Sequence, residues 1–271
     1  MPIDLTYYNK NAQAYFDSTV NLDLSDHYPR FLARIPVGGL VLDAGCGSGR
    51  DSKAFLALGY RVSAFDGSAE LASLAGAYLG RSVGVRTFSE VTEVACYDGI
   101  WACASLLHVP AREMVATLGN LWAALKPGGA FYLSFRVDST LEAAGERQFT
   151  DADEETLQQW LGCLPEPGEL ECWISDSVQP DKPVRWLNAV AVRRPTPVKK
   201  LIPGDSYPFL PHLCDAIAKA TEIDLAVAFI KTSGLRLLLP DLHAARRERA
   251  ARVRVLTSDY LDVTDPTRYR C

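Results

Sequence analysis

The amino-acid sequence predicts an α/β fold: a parallel sheet with helices on both faces, closed by an antiparallel hairpin and followed by a small C-terminal β-α-β extension. Three observations predict it. Between residues 40 and 135, short apolar strand-like runs alternate with amphipathic helix-length segments. The first of those strands runs directly into a glycine-rich turn, the arrangement that puts a ligand at the carboxyl edge of a sheet. Two further strands, roughly Leu170 to Ser177 and Val184 to Arg193, succeed each other with no helix between them and should pair antiparallel at the sheet edge.

Helical spacing appears first over Tyr7 to Thr19, where Tyr8, Ala12, Tyr15 and Phe16 share one face. A second helix is expected over Asp26 to Ile35, stopped by Pro36, after which Gly38-Gly39 open the buried strand Leu40-Val41-Leu42. The alternation then reads helix Arg50 to Leu58, strand Arg61 to Phe65, helix Ala69 to Leu79, strand Val83 to Phe88, strand Gly99 to Ala104, helix Ala111 to Leu125 and strand Ala130 to Phe135. Lys126-Pro127-Gly128-Gly129 is a turn that ends one element and launches the next. Thr150 and Asp153 form a capping pair for a helix through Leu161. Arg194-Pro195-Thr196-Pro197 has linker composition, because two prolines interrupt both helix and ladder hydrogen bonding. Beyond it lie a helix near Leu210 to Thr221, a strand Ile223 to Ile230, a helix Ser233 to Glu248 and a strand Arg252 to Thr257.

With 271 residues, 48% hydrophobic and 23% charged, the chain has globular proportions, which exclude a disordered tail or a fibrous repeat. No apolar run reaches the roughly 18 to 20 residues of a bilayer span, and Met1-Pro2-Ile3-Asp4 opens no secretory pattern. A soluble, cytoplasmic protein without a membrane partner is expected. The seven cysteines are scattered with no Cys-x-x-Cys pair, which reads as reduced thiols. The net charge of −5 divides unevenly: residues 1–195 carry 16 basic and 24 acidic side chains, the rest 12 and 9. An acidic body disfavours nonspecific attraction to phosphate backbones, and the small basic excess of the tail is far from a nucleic-acid signature.

Most informative is the run Val41-Leu42-Asp43-Ala44-Gly45-Cys46-Gly47-Ser48-Gly49-Arg50-Asp51. A dinucleotide fingerprint needs glycine where Arg50 stands, and a phosphate loop needs Gly-Lys-Ser/Thr, which is absent. Asp43 and Asp51 also place negative charge where a pyrophosphate would lie. The same carboxylates favour a ligand with a cationic sulfonium and ammonium, such as S-adenosylmethionine, whose own carboxylate can face the free amides of the helix start. Asp66, at the end of the second strand, stands where an acid accepts hydrogen bonds from both ribose hydroxyls of an adenosine.

These residues resemble the class I S-adenosylmethionine-dependent methyltransferases, through Leu42 to Gly49, Phe65-Asp66-Gly67-Ser68, Tyr97 to Pro110 and Leu125-Lys126-Pro127-Gly128-Gly129 in order. The resemblance spans about Tyr7 to Arg194 and implies the Rossmann-like seven-stranded methyltransferase sheet. It assigns Gly45 and Gly47 to the methionine moiety, Asp66 to ribose, the Ser89-Glu90-Val91 turn to adenine, and backbone around Ala104 and Ser105 to the methionyl amine. Tyr15 belongs to an N-terminal helix that closes over the ligand in related enzymes, although aromatics on one helical face also serve as core packing. With Asp43, Cys46, Gly67, Ser89 and Glu90, these residues make up the expected cofactor site.

His108, after the fourth strand, is the candidate catalytic residue. A neutral imidazole there could take a proton from the methyl acceptor, or could merely brace its loop. Ala104-Ser105-Leu106-Leu107 replaces the Asn/Asp-Pro-Pro-aromatic segment found in nucleic-acid amino-methyltransferases, which disfavours base methylation. Cys103 reads as inert core, and no metal is expected because the histidines lie far apart. The expected partner is a small-molecule methyl acceptor. The alternatives are a protein or nucleic-acid acceptor recruited through the tail, and a noncatalytic cofactor-binding regulator.

The domain reading is 1–194 for the methyltransferase part, 195–209 for a linker and 210–271 for the tail. Ile223 to Ile230, Thr232-Ser233-Gly234-Leu235, Val253 to Thr257 and Thr264-Asp265-Pro266 are similar to the opening of phospholipase D-like domains. The tail lacks that family's His-x-Lys: His212 precedes Leu213-Cys214 and His243 precedes Ala244-Ala245.

Overall fold

The computed structural model describes residues 5–137, 149–179, 184–195, 209–227 and 232–257. The chain separates into two units, Met1–Pro197 and Val198–Cys271. Among the described residues no helix is long and apolar enough to cross a membrane.

The first unit opens with α1 (Thr6–Lys10) and α2 (Ala12–Thr19), not with one continuous helix. Asn11 breaks it with non-helical backbone (φ −113°, ψ 18°), and its side-chain amide donates to the Tyr7 carbonyl at 2.9 Å. The helix expected over Asp26 to Ile35 is likewise shorter, a 3-10 turn at Ser25–His27 leading into α3 (Tyr28–Leu32). Then follow β1 (Leu40–Ala44), α4 (Arg50–Ala57), β2 (Arg61–Asp66), α5 (Ala69–Leu79), β3 (Gly84–Val85), β4 (Tyr97–Ala102), α6 (Ala111–Ala124), β5 (Leu125–Val137), α7 (Glu154–Gly162), β6 (Pro167–Asp176) and β7 (Arg185–Arg193).

The seven strands form one sheet in the order β3-β2-β1-β4-β5-β7-β6. The first five run parallel, and β7 pairs antiparallel with both β5 and β6. Strand order reverses between β1 and β4, which opens a crevice at their carboxyl ends. Side chains alternate across the sheet with period two. Ile100, Ala102, Phe131, Leu133 and Phe135 enter the core beneath α6 and α7, while Trp101 and Tyr132 enter the opposite core with Phe31 and Phe55. There Trp101 and Tyr132 stack with centroids 3.6 Å apart.

Three local expectations are corrected. The strand over Val83 to Phe88 pairs only at Gly84–Val85, because Thr87 and Glu90 form a capping box that turns the chain into a 3-10 helix. Lys126-Pro127-Gly128-Gly129 lies inside β5 as a bulge: Tyr97 pairs with Leu125 and Gly99 with Ala130, and Gly128 takes φ 81°. Asp153 caps α7 through the Thr156 amide, but Thr150 does not share in it; its hydroxyl donates to the Val109 carbonyl.

The second unit contains α8 (Phe209–Lys219), β8 (Glu222–Val227), α9 (Thr232–Arg249) and β9 (Arg252–Thr257). β8 and β9 pair in parallel around Ile217, Ile223, Leu242 and Ala245. Of the tail's arginines, Arg254 grips Asp224 through two hydrogen bonds of 2.6 Å and Arg249 donates to the Ile217 carbonyl. Thr264-Asp265-Pro266 lies outside the described residues.

Candidate active site

The glycine turn between β1 and α4 is held from below by backbone. Gly45 and Cys46 donate to the Phe65 carbonyl at 3.0 and 2.9 Å, and Gly47 donates to Asp66 Oδ2 at 2.8 Å. Gly45 and Gly47 take φ of 77° and 55°, the left-handed region that favours glycine. A Cβ at Gly45 would stand 2.7 Å from Ser105 Cβ, and one at Gly47 would stand 3.2 Å from the Tyr15 ring. The turn is therefore closed on one side by the segment after β4 and roofed by α2.

Two connected spaces lie above it. A narrow cleft of about 60 Å³ is lined by Gly45, Gly47, Phe65, Asp66, Gly67, Arg86, Thr87, Phe88 and Ser105. A chamber of about 620 Å³ opens between α1–α2 and the β5–β7–β6 face, with Arg50, Cys103, Tyr132, Ser134, Arg136, Phe149, Trp186 and Asn188 in its wall. Tyr8, Tyr15, Ala104 and His108 line both. At that junction the Tyr8 hydroxyl lies 2.7 Å from His108 Nε2, and Ala104, at φ 49°, donates its N–H to Ser134 Oγ at 2.8 Å.

The structure thus brings together Tyr15, Gly45, Gly47, Asp66, Gly67, Ala104, Ser105 and His108 from the sequence-predicted set. It does not bring Asp43, Cys46, Ser89 or Glu90 to the wall of either space. Asp43 is buried (2% exposed) and accepts the Ser52 hydroxyl at 2.6 Å, beneath the loop it was expected to charge. Cys46 ties its amide to Phe65, and burial pushes its thiol well above the usual range. Glu90 accepts from the Thr87 amide at 2.7 Å and Ser89 bonds the Thr87 hydroxyl, which leaves Arg86, Thr87 and Phe88 on the cleft.

Sequence reading missed Arg50 and the chamber face of β5. In the sequence Arg50 marks only the absence of a glycine, yet in the fold its largely buried side chain lines the chamber. Its Nε and Nη2 donate to the two oxygens of Asp51, each at 2.8 Å, while Tyr28 Oη and Trp101 Nε1 donate to the same carboxylate at 2.7 and 2.8 Å. Burial alone would raise the Asp51 carboxyl; Arg50 and the other donors overcome it and hold the group below its ordinary value. The missed signal on β5 was the polar alternation Tyr132, Ser134, Arg136 within an otherwise apolar strand.

Burial and the nearby Asp51 charge push Asp43 up to about 7, against the bond from Ser52. An acid whose folded value is raised binds protons in the native state that it has lost when unfolded, so it costs stability as pH rises from about 4 to 7. Asp43→Asn is therefore expected to gain on the wild type by a few kcal/mol between pH 5 and pH 8, read from thermal unfolding. A difference between the two proteins that stays constant with pH would contradict this. Burial pushes the Cys103 thiol up to about 12, so it is not a thiolate nucleophile at neutral pH. Burial also raises Asp66, although the amides of Ser68 and Gly47 oppose it.

A Rossmann-like seven-stranded sheet, a non-phosphate glycine turn at its switch point and an acid at the end of the second strand define a methyltransferase-type protein. A family profile described as a methyltransferase domain matches residues 16–177, and the chain belongs to that family. The match does not reach the tail. YqeM of Bacillus subtilis (strain 168), described as a candidate methyltransferase, is 28% identical over 138 residues, covering 47% of this chain and 55% of the relative, so the chain spans about half of that protein's length. Among solved structures, Burkholderia thailandensis 1,6-didemethyltoxoflavin-N1-methyltransferase superposes with a TM-score of 0.54 at 24% identity, covering 70% of this chain and 86% of the other. A DhpI–SAH complex superposes with a TM-score of 0.50 at 25% identity, covering 71% and 96%.

Proposed function

We propose that this protein is an S-adenosylmethionine-dependent methyltransferase acting on a small molecule held in the chamber. The observation that carries the reading is the pairing of a glycine-floored, Asp66-walled cleft with a far larger chamber, the two meeting at Tyr8, Tyr15, Ala104 and His108. S-Adenosylhomocysteine bound in the homologous DhpI structure agrees with it.

The lining of the cleft has the chemistry an adenosyl group needs. A Cβ at Gly45 would collide with Ser105 and one at Gly47 would press on the Tyr15 ring, Asp66 offers a carboxylate to hydroxyl donors, and the one guanidinium on the cleft among the described residues, Arg86, is engaged by Glu93 at 2.8 Å. When bound, S-adenosylmethionine supplies a methyl group on a positively charged sulfur. Asp66 would hold the ribose, Gly45, Gly47 and Ala104 the methionyl part, and Arg50 the methionyl carboxylate at the chamber side of the loop. Tyr15, lying over Gly47, excludes water from above. Tyr8 holds His108 Nε2 at the junction, which makes the Tyr8–His108 pair the candidate proton acceptor for an acceptor group that must lose one. Alignment and desolvation of the two reactants carry most of the rate.

Asp66→Ala is expected to weaken S-adenosylhomocysteine binding by about 1–3 kcal/mol in calorimetric titration, and to have little effect on a 2′,3′-dideoxy analogue. Equal losses for both ligands would reject the ribose assignment; no binding of S-adenosylhomocysteine to wild-type protein would reject the function. The division at 195–209 belongs to the same proposal and is supported by the separation of the chain at Pro197.

A further inference from the structure

We propose that the methyl acceptor is a flat ring compound carrying a carboxylate, and that Arg136 reads that carboxylate. The proposal rests on the reading of the chamber as the acceptor site.

The chamber floor is a tray of three adjacent strands. In its registers Arg136 lies across from Trp186 and Trp186 across from Ser175, while Ser134 lies across from Asn188. Tyr132, Ser134 and Arg136 share one face of β5 by the period of two, and all line the chamber. The neutral polar groups of this tray are largely committed to one another. Tyr132 Oη donates to Asn188 Oδ1 at 2.7 Å, Asn188 Nδ2 donates to Ser175 Oγ at 2.9 Å, and Ser134 Oγ accepts the Ala104 amide. What they leave to a ligand is ring surface and a guanidinium.

Arg136 is built in place. Its side chain is 12% exposed, and its guanidinium lies 4.0 Å over the Phe149 ring. Nε and Nη2 reach a single oxygen of Asp151, both at 3.1 Å, and Nη1 has no partner among the described residues. Arg136 and Phe149 line the chamber and Asp151 does not. Among the described residues the wall carries one carboxylate, Asp176, exposed at the end of β6 and across from Arg185. A planar anion against Trp186 would answer the guanidinium with a charge-assisted hydrogen bond, and arginine suits a flat carboxylate better than a point charge does.

Arg50 is the other guanidinium of the chamber wall among the described residues; its Nε and Nη2 donate to the two oxygens of Asp51, and it stands beside the glycine turn, where the cofactor's own carboxylate is expected. The test must therefore separate the two arginines. The full chain is titrated with 2-naphthoate and with the isosteric, uncharged 2-naphthamide, with and without saturating S-adenosylhomocysteine, by calorimetry and tryptophan fluorescence. Naphthoate is expected to bind about tenfold more tightly than the amide; Arg136→Gln should abolish that preference, Arg136→Lys should retain part of it, and neither should change S-adenosylhomocysteine affinity. Equal binding of the two probes, binding of neither, or a preference that survives Arg136→Gln and disappears in Arg50→Gln would overturn the proposal. Failure of S-adenosylhomocysteine to bind the wild type would instead strike the cofactor reading, with the naphthoate titrations still deciding this one.

Discussion

Replacing Asp51 with alanine is expected to lower the unfolding free energy by about 3–5 kcal/mol, the usual cost of removing one member of a buried ion pair. The carboxylate is 5% exposed and accepts from Arg50, Tyr28 and Trp101 at once. Its loss strands a guanidinium whose side chain is 17% exposed and leaves a phenol and an indole N–H without their acceptor inside a packed aromatic core. Urea denaturation measures the effect. The double variant Asp51→Ala with Arg50→Met should recover a large part of the loss, because an apolar replacement removes the uncompensated charge. If the double variant were as unstable as the single one, the stranded guanidinium would not be the cause.

The second large effect is expected at Gly45. Gly45→Ala should weaken S-adenosylhomocysteine binding about 10- to 100-fold, since the new methyl group must sit at φ 77° and press on Ser105 Cβ, which it would approach to 2.7 Å. Ser105 cannot simply turn away: its hydroxyl donates to the Ala44 carbonyl at 2.7 Å and ties the ends of β1 and β4 together. Gly59→Ala is the control. It has an even larger positive φ of 88° but open space around the added carbon, so it should cost about 1–2 kcal/mol of stability and leave ligand affinity unchanged. Equal affinity losses in the two variants would show that backbone strain, and not the closing of the cleft, is responsible. Calorimetry on both proteins decides it.

Much of the first unit was legible because its signals are local. Apolar runs such as Leu40 to Leu42 and Ile100 to Ala102 read as buried strands whatever surrounds them, and the glycines at 45 and 47 mark a turn that side chains would block. The errors lie where a side chain had two local options. Asn11 could continue a helix or bond the backbone behind it, and it bonds Tyr7. Glu90 could face a ligand or cap a turn, and it caps. Thr150 could cap α7 or bond Val109, and the distant carbonyl wins.

The site divides in the same way. By itself the sequence determined the order of strands and helices, the non-phosphate glycine turn and the acid at position 66, because these follow from backbone sterics and charge type at fixed spacing. Only the tertiary structure decided which carboxylate lines the cleft. Asp43, Asp51 and Asp66 are all acids beside one loop, yet Ser52 takes the first, Arg50 takes the second, and the third alone lines the cleft. It also decided that Arg136, 86 residues from Arg50 in the chain, shares a chamber with it. The reason is that a charge's role depends on what compensates it, and the compensating groups come from strands and helices that only folding brings near.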